Sequence, residues 1–474
     1  MGKIKVPNGT FEDSLNLDAE RIFPSLKCLN KKQIGEVEKR VDKIIDFQAE
    51  SRLAFQAVNY ISNWISELGF EKKEILDDKP FKTDKYFYQD PWQKSSMLVV
   101  REGERKITEG FHLIVSHADS PCLKVKPRPL RIAWDYDEIY NYLGVRLSTI
   151  PHGGIVVPHW VGQPVDVVGY TIQKNGSRKE IQFLGIVGVN SVHVDYSEKK
   201  EVEDAFSPEK SLEIITGFSS IPDILAGLEF ESPDDFANTQ LWAVPRNDMI
   251  PVSEYDWNLL VGYGHDNRTS VFSAIDAITR IEKPEYTSIA WITDNEEIYD
   301  PAPTGRKGPF FKIFLEKLFE KQEKTERKKI SVVEKANMYF QSRVIVGDVT
   351  IAPYGKDADL MDFNSAGKIG LGVAIDGGDV QGSDPHFVRT LRNLALKNKK
   401  QEGICHQVCG QFYSQNIHEL WYSGEEYIDN PKSKGTPEIW VGTPCASCHS
   451  IVEIICPGDE YAASELYKRF FESK

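Results

Sequence analysis

Over the second half of this chain, short apolar runs alternate with helical periods, and that alternation restricts the fold more than any other feature. "NRTSVFSAIDAITRIE" and "PFFKIFLEKLFEKQEK" place apolar residues three and four apart, as an amphipathic helix does. "YTSIAWITD", "SRVIVGDVT", "GKIGLGVAID" and "PEIWVG" are instead strand-like, and "EYAASELYKRFFESK" ends the chain as another helix. Strands apolar on both faces must be covered on both, so the reading is an α/β domain with a covered, largely parallel sheet. Upstream, "VDKIIDFQAE" and "RLAFQAVNYISNWISELGF" read as helices, the second stopped by Gly69, and "SSMLVVRE" and "GFHLIVSHADS" as neighbouring buried strands. At 474 residues the chain is too long for one simple core. Residues 125–245 break the alternation: "GGIVVPHW", "PVDVVGYTIQKNG" and "KEIQFLGIVGVNSVHVDYS" are strand-like, with Gly, Pro and Asn-Gly turns between them. The expected organisation is a discontinuous α/β domain over 1–124 and 246–474, interrupted by an inserted, mostly β domain over 125–245.

A net charge of −14 argues against nucleic acid as a partner, because phosphate binding needs a basic surface. No run of about 18 apolar residues predicts a membrane span, and the opening segment lacks the apolar stretch of a secretory signal. Seven cysteines are then read as reduced thiols of a cytoplasmic protein. "GTPCASCH" contains C-x-x-C-H, the attachment signature of a c-type haem, which a cytoplasmic setting disfavours. A zinc site joining Cys405, Cys409, Cys445 and Cys448 is the stronger rival reading.

In open α/β sheets the ligand lies beyond the carboxyl ends of the strands. There this chain places His117 and Asp119 after "FHLIVS", His265 and Asp266 at the start of a helix, and Asp294, Glu296 and Glu297 after "SIAWIT". Asp376 and Asp379 come after "LGVAI", and His449 comes after "EIWVG" and a short loop. One Asp after a strand is ordinarily a cap or a turn former. Imidazoles and carboxylates recurring at strand ends instead suit a pair of divalent ions, zinc foremost, with a carboxylate bridging them.

"VSHADSPCLKVKP", "YGHDNRTS", "TDNEEI" and "GTPCASCHSIVEI", in that order and with a β insertion between the first two, resemble the aspartyl aminopeptidase family. The resemblance implies a three-layer zinc-peptidase-like catalytic domain with a mostly parallel or mixed sheet. It also implies removal of N-terminal residues, acidic or neutral, from peptides by two-metal hydrolysis with two zinc ions per subunit. Carried over by residue, His117 and Asp376 hold the first ion, Asp266 bridges, Glu297 and His449 hold the second, and Glu296 is the general base. Asp119 orients the His117 imidazole, and the cysteines only line the loop that presents His449. His193 corresponds to a substrate-site histidine lent to a neighbouring subunit. The inserted domain becomes an oligomerisation and lid unit of a homo-oligomer, of dodecameric size in relatives. The chain departs from the pattern where Tyr299-Asp300 stands after Ile298 in place of Gly-Ser, and Asp379 rivals Asp376. Cations for an acidic substrate would be Arg389, Arg392 or Lys397, all at helical spacing. These departures leave a second reading, a retuned or weakly active metal-binding relative serving as an assembly or binding protein.

Overall fold

The structure is a computed structural model, described for residues 24–27, 29–77, 83–131, 144–188, 212–246, 249–252, 258–299, 302–355, 357–377, 384–396, 403–410 and 436–474. It divides into two compact units, the first comprising Met1–Asp119, Met249–Cys448 and Val452–Lys474, the second Ser120–Asp248 and His449–Ile451. The joints read from sequence stood at 124/125 and 245/246.

A nine-stranded sheet forms the centre of the first unit. Its strands are β1 (Glu71–Lys73), β2 (Lys85–Gln89), β3 (Met97–Arg101), β4 (Phe111–His117), β5 (Thr287–Thr293), β6 (Arg343–Gly347), β7 (Val373–Asp376), β8 (His406–Cys409) and β9 (Glu438–Gly442). Their spatial order is β1-β2-β3-β5-β4-β6-β9-β7-β8. The sheet is mixed. Strands β5, β4, β6 and β9 run parallel, β3 is antiparallel to β5, and β7 is antiparallel to β9. The two strands read as neighbours, β3 and β4, are separated by β5, because the chain crosses over through a helix before β5 pairs between them.

Among the described residues, the helices of ten or more residues are α1 (Lys31–Glu50), α2 (Ala54–Glu67), α3 (His265–Arg280), α4 (Phe310–Glu326), α5 (Val332–Gln341), α6 (Pro385–Ala395) and α7 (Pro457–Phe471). Alternate strand residues enter opposite cores, as a pleat with a period of two requires. Ile114, Ile345 and Val441 pack with α1, α2, α3, α6 and α7 on one face. Leu113, Val115, Val344, Val346 and Trp440 pack with α4 and α5 on the other. That alternation makes three layers. Among the described residues no helix is long and apolar enough to cross a membrane.

Helices α1, α3 and α7 are further joined by a buried ion network. Arg40 grips Glu460 through Nε and Nη2, at 3.2 and 2.7 Å, and its Nη1 pairs with Asp276. Ser273 donates to the same Glu460, and Ser464 to Asp276, each at 2.8 Å.

The second unit is built on a closed six-stranded barrel ordered 239–245, 122–131, 146–152, 214–215, 178–187 and 164–172. The hairpin between its last two strands turns at Asn175-Gly176, with Gly176 left-handed, as the Asn-Gly pair in the sequence leads one to expect. "GGIVVPHW" is not a strand. The preceding strand ends at His152, and Val157–Trp160 forms a short helix whose Pro158 stands in its first turn.

Stranding the partners of a buried charge typically costs about 3–5 kcal/mol, so Arg40→Ala is expected to lower the unfolding free energy by that order in urea denaturation. Burial alone would raise the Asp276 carboxyl, but Arg40 and Arg280 outweigh it and hold it at about 2, below its ordinary 3.8. Because the folded-state value is the lower one, this carboxylate's contribution is complete above 3.8 and lost as the pH falls through about 2. Asp276→Asn should therefore flatten the stability profile over that window; an unchanged slope would remove Asp276 from the network.

Candidate metal centre

Three parallel strands deliver the site because parallel neighbours end at the same edge. Thr293 of β5 is in register with His117 of β4, and Val346 of β6 with Val115. The residues at and just beyond these ends are brought together: His117 closes β4, Glu296 and Glu297 form a short 3-10 turn after β5, and Asp348 comes directly after β6. His117 Nε2 lies 3.5 Å from Asp266 Oδ1, 3.5 Å from Asp348 Oδ1 and 3.6 Å from Glu296 Oε2. His117, Asp266 and Glu297 are all buried, and each offers a ligand atom within 4.8 Å of the others.

Each donor is fixed by a neighbour. Asp119 holds the Glu-Glu turn, its Oδ1 accepting the Glu296 amide and its Oδ2 the Glu297 amide, both at 3.1 Å. A carboxylate at the head of a helical turn satisfies amides that have no intrahelical partner. The main-chain carbonyl of Asp119 accepts from His117 Nδ1 at 3.1 Å, which turns Nε2 toward the carboxylates. Burial disfavours a charged imidazole, yet Glu296, Asp119 and Asp348 outweigh it and hold the His117 pKa well above its ordinary value.

The start of α3 presents Asp266. Gly264 is left-handed at φ +80°, and a Cβ there would collide with the Arg268 guanidinium. That buried guanidinium donates to Gln48 Oε1, Arg52 O and Tyr263 O at 2.7, 2.8 and 2.6 Å, tying α3 to α1 and to the segment before α2. Asn267 Nδ2 donates to the Gly347 carbonyl at 2.8 Å, joining α3 to the end of β6 next to Asp348. The Asp266 amide donates to Glu453 Oε2 at 3.0 Å.

A buried imidazole among several carboxylates is the donor chemistry of zinc, so these residues fit the ion. Residues 47–471 match the family model described as aminopeptidase I zinc metalloprotease (M18). The chain belongs to this M18 family. It is 27% identical to a probable M18 family aminopeptidase 1 of Borreliella afzelii (strain PKo) over 94% of this chain and 98% of the relative. A second M18 relative, from Thermotoga maritima, is 26% identical over 92% of this chain and 96% of its own length. Among solved structures, an M18 aminopeptidase from Thermotoga maritima matches with a TM-score of 0.77 at 22% identity, covering 94% of this chain and 98% of that one. Aminopeptidase I from Clostridium acetobutylicum matches with a TM-score of 0.74 at 18% identity, covering 99% and 100%. This M18 chain is thus an aminopeptidase of a zinc-metalloprotease family, and its family implies a divalent metal.

Not every residue singled out from the sequence of this M18 chain joins the cluster. Asp376 ends β7, which is antiparallel to β9 and three strands removed from β4, so its carboxyl end points away from the edge that carries His117. It faces Cys409 instead. Asp348 was missed, although "SRVIVGDVT" reads as a strand and Asp348 stands immediately beyond its end. His265 is fully buried and bonds Thr269 Oγ1 at 3.2 Å; burial and the Arg268 charge lower its pKa to about 3. His449 belongs to the second unit, where its Nδ1 donates to the Gly154 carbonyl at 2.8 Å. Arg389 and Arg392 lie on the exposed face of α6. His193, Asp300, Asp379 and Lys397 lie outside the described residues.

Zinc binds thiolates, and the surroundings disfavour that form at Cys409, Cys445 and Cys448. Burial pushes Cys409 up to about 12 and Cys445 to about 11. The Cys445 hydrogen bond and burial raise Cys448 well above the ordinary range. Cys445 belongs to a short strand, Pro444–Ala446, paired with Thr350–Ile351 and Glu453–Ile455.

Left-handed backbone costs a Cβ-bearing residue about 1–2 kcal/mol, and at Gly264 the blocked guanidinium adds to it. Gly355 is also left-handed, at φ +56°, but nothing lies where its Cβ would stand. Gly264→Ala should therefore destabilise more than Gly355→Ala in thermal denaturation; equal losses would show that Arg268 does not constrain the turn.

Proposed function

We propose that this chain removes N-terminal residues from peptides by hydrolysis at two divalent ions, zinc foremost. The observation that carries the reading is the buried convergence of His117, Asp266 and Glu297, with Asp348 3.5 Å from the imidazole. His117 and Asp348 would hold the first ion, Asp348 taking the role that the family resemblance had assigned to Asp376. Asp266 and Glu297 would hold the second. When bound, the ions supply Lewis acidity that polarises the scissile carbonyl and acidifies water.

The chain's own residues do the rest. Glu296 accepts a proton from the attacking water on a carboxylate oxygen and returns it to the leaving amine. Its place supports this, since Oε2 lies 3.6 Å from His117 Nε2 while its neighbour Glu297 joins the ligand group. The surrounding carboxylates draw the substrate's α-amino group, which confines cleavage to the first residue. Asp119 keeps base and ligand in register through their amides.

A relative from S. cerevisiae is described as a dodecamer, at a TM-score of 0.66 and 15% identity. We read a homo-oligomer here too, with the barrel unit as its contact, acting on peptides in the cytoplasm. With Arg389 and Arg392 on an exposed helix face, neutral N-terminal residues should be accepted alongside acidic ones. A kcat/KM for Asp- or Glu-reporter substrates more than about 10²-fold above that for Leu-reporters, some 2.7 kcal/mol, would overturn this.

Chelation should abolish hydrolysis of aminoacyl reporters and added zinc restore it. Glu296→Gln is expected to retain metal while turnover falls at least about 10²-fold. Elemental analysis should find zinc lost in Asp348→Asn and kept in Asp376→Asn and in the double Cys445→Ser, Cys448→Ser variant. The reverse pattern for the two aspartates would return the ligand role to Asp376.

A further inference from the structure

The Glu296–Glu297 turn is held from one side by Asp119, and a second segment grips it from the other. Residues 302–308 fold into consecutive turns, the Gly305 amide donating to Ala302 O at 3.1 Å and the Gly308 amide to Gly305 O at 3.0 Å. Gly308 is required there, because a Cβ would strike the Pro303 carbonyl. Three side-chain contacts join this segment to the turn. Asn295 Nδ2 donates to the buried Thr304 Oγ1 at 3.1 Å, and Lys307 Nζ donates to Tyr299 O at 3.0 Å. Between them, Arg306 Nη2 lies 3.5 Å from Glu296 Oε1.

The third contact differs in kind from the other two. Both side chains are buried, Arg306 with 8% of its surface exposed and Glu296 with 4%. Arg306 also lines a small cavity of about 10 Å³ with Ser116, His117, Thr293 and Asp348, enough for one water at the strand ends. A glutamate has three side-chain torsions to fix, and the 3-10 turn beneath it is flanked by two left-handed residues, Asn295 and Tyr299. A guanidinium on Oε1 leaves Oε2 as the oxygen facing His117 Nε2, at 3.6 Å.

We propose that Arg306 is a positioning residue for the general base: its guanidinium holds Glu296 Oε1 so that Oε2 is presented to the attacking water. The proposal rests on the reading of Glu296 as the base. It makes Arg306 act on the chemical step through Glu296, with no contact to substrate. Arginine suits this better than lysine, because a planar fork fixes a carboxylate's orientation where an ammonium supplies only a point charge.

The test uses the full-length, zinc-loaded protein with Asp-, Glu- and Leu-reporter substrates. Misplacement of a catalytic group by about an ångström can cost up to about 10²-fold. Arg306→Ala is accordingly expected to lower kcat at least about tenfold, with KM, zinc content and thermal midpoint near wild type. Guanidinium ion added to Arg306→Ala should restore part of the lost kcat. In a Glu296→Gln background the Arg306→Ala effect should vanish, because the group it positions can no longer take a proton. Arg306→Lys, which keeps the charge, should fall between the two and carries the test if the alanine variant does not fold. An unchanged kcat in Arg306→Ala, or an equal loss in the Glu296→Gln background, overturns the proposal. A rise in KM confined to Asp and Glu reporters also overturns it, making Arg306 a substrate contact instead. Full activity in Glu296→Gln alone would show that the base reading is wrong, and the proposal falls with it.

Discussion

The Asp119 carboxylate, accepting the amides of Glu296 and Glu297, is the interaction on which the rest of the site depends. It bridges segments 177 and 178 residues apart, and it can do so because β4 and β5 are parallel and in register at His117 and Thr293. A strand that slipped by one residue would turn every side chain to the opposite face. His117, which shares the parity of Leu113 and Val115, would then turn to the face covered by α1, α3 and α7, and Asp119 would no longer meet the turn. The same residue serves both strands: its carbonyl orients the imidazole at the end of β4, and its carboxylate heads the turn after β5. The third strand is tied in by Asn267, which holds the carbonyl of Gly347 just before Asp348. Site geometry is therefore a property of sheet register, transmitted by three short-range hydrogen-bonding groups.

Those groups need rigid supports, and the helical layer behind the sheet provides them. Asp266 stands in non-helical backbone at the head of α3, and α3 is anchored twice: by Arg268 at its start and by Asp276 further along. Arg40 and Glu460 extend the second anchor to α1 and α7. Buried ion pairs are a weak way to gain stability compared with apolar packing. Their value here is directional: a guanidinium held by carboxylates from two helices fixes how α1, α3 and α7 are arranged.

Much of this was legible in the sequence because burial writes itself as periodicity. The helical periods gave α1, α2, α3, α4 and α7, and the apolar runs gave β3, β4, β5, β6 and β9. His117, Asp119, Asp266, Glu296 and Glu297 stand out as the polar residues that end an apolar strand or open a helix, and the structure brings all five together. Asp348 stands in the same relation to "SRVIVGDVT". The family resemblance points instead to Asp376, which directly terminates its own apolar run. What the sequence cannot show is strand direction. An apolar run looks the same whether its carboxyl end points toward the ligand edge or away from it, and β7 points away. Spatial order is equally silent, which is why β3 and β4 read as adjacent. "GGIVVPHW" misled for another reason: its apolar residues suit a strand, but Gly153 is left-handed and Pro158 begins a helical turn.

Tyr299 shows how the local departure from the family pattern is accommodated. Its backbone is left-handed, at φ +67°, a conformation that glycine adopts without strain and at which the family resemblance leads one to expect glycine. Here a tyrosine carries about 1–2 kcal/mol of backbone strain. Its amide donates to Glu296 O at 2.8 Å, closing the 3-10 turn, and its carbonyl accepts from Lys307 Nζ at 3.0 Å. Two hydrogen bonds of about 1 kcal/mol each are enough to offset strain of that size. Both bind the tyrosine to elements that also touch Glu296, one being the residue itself and the other a neighbour of Arg306. Through Lys307, Thr304 and Arg306, residues 302–308 and the Glu-Glu turn form one structural unit.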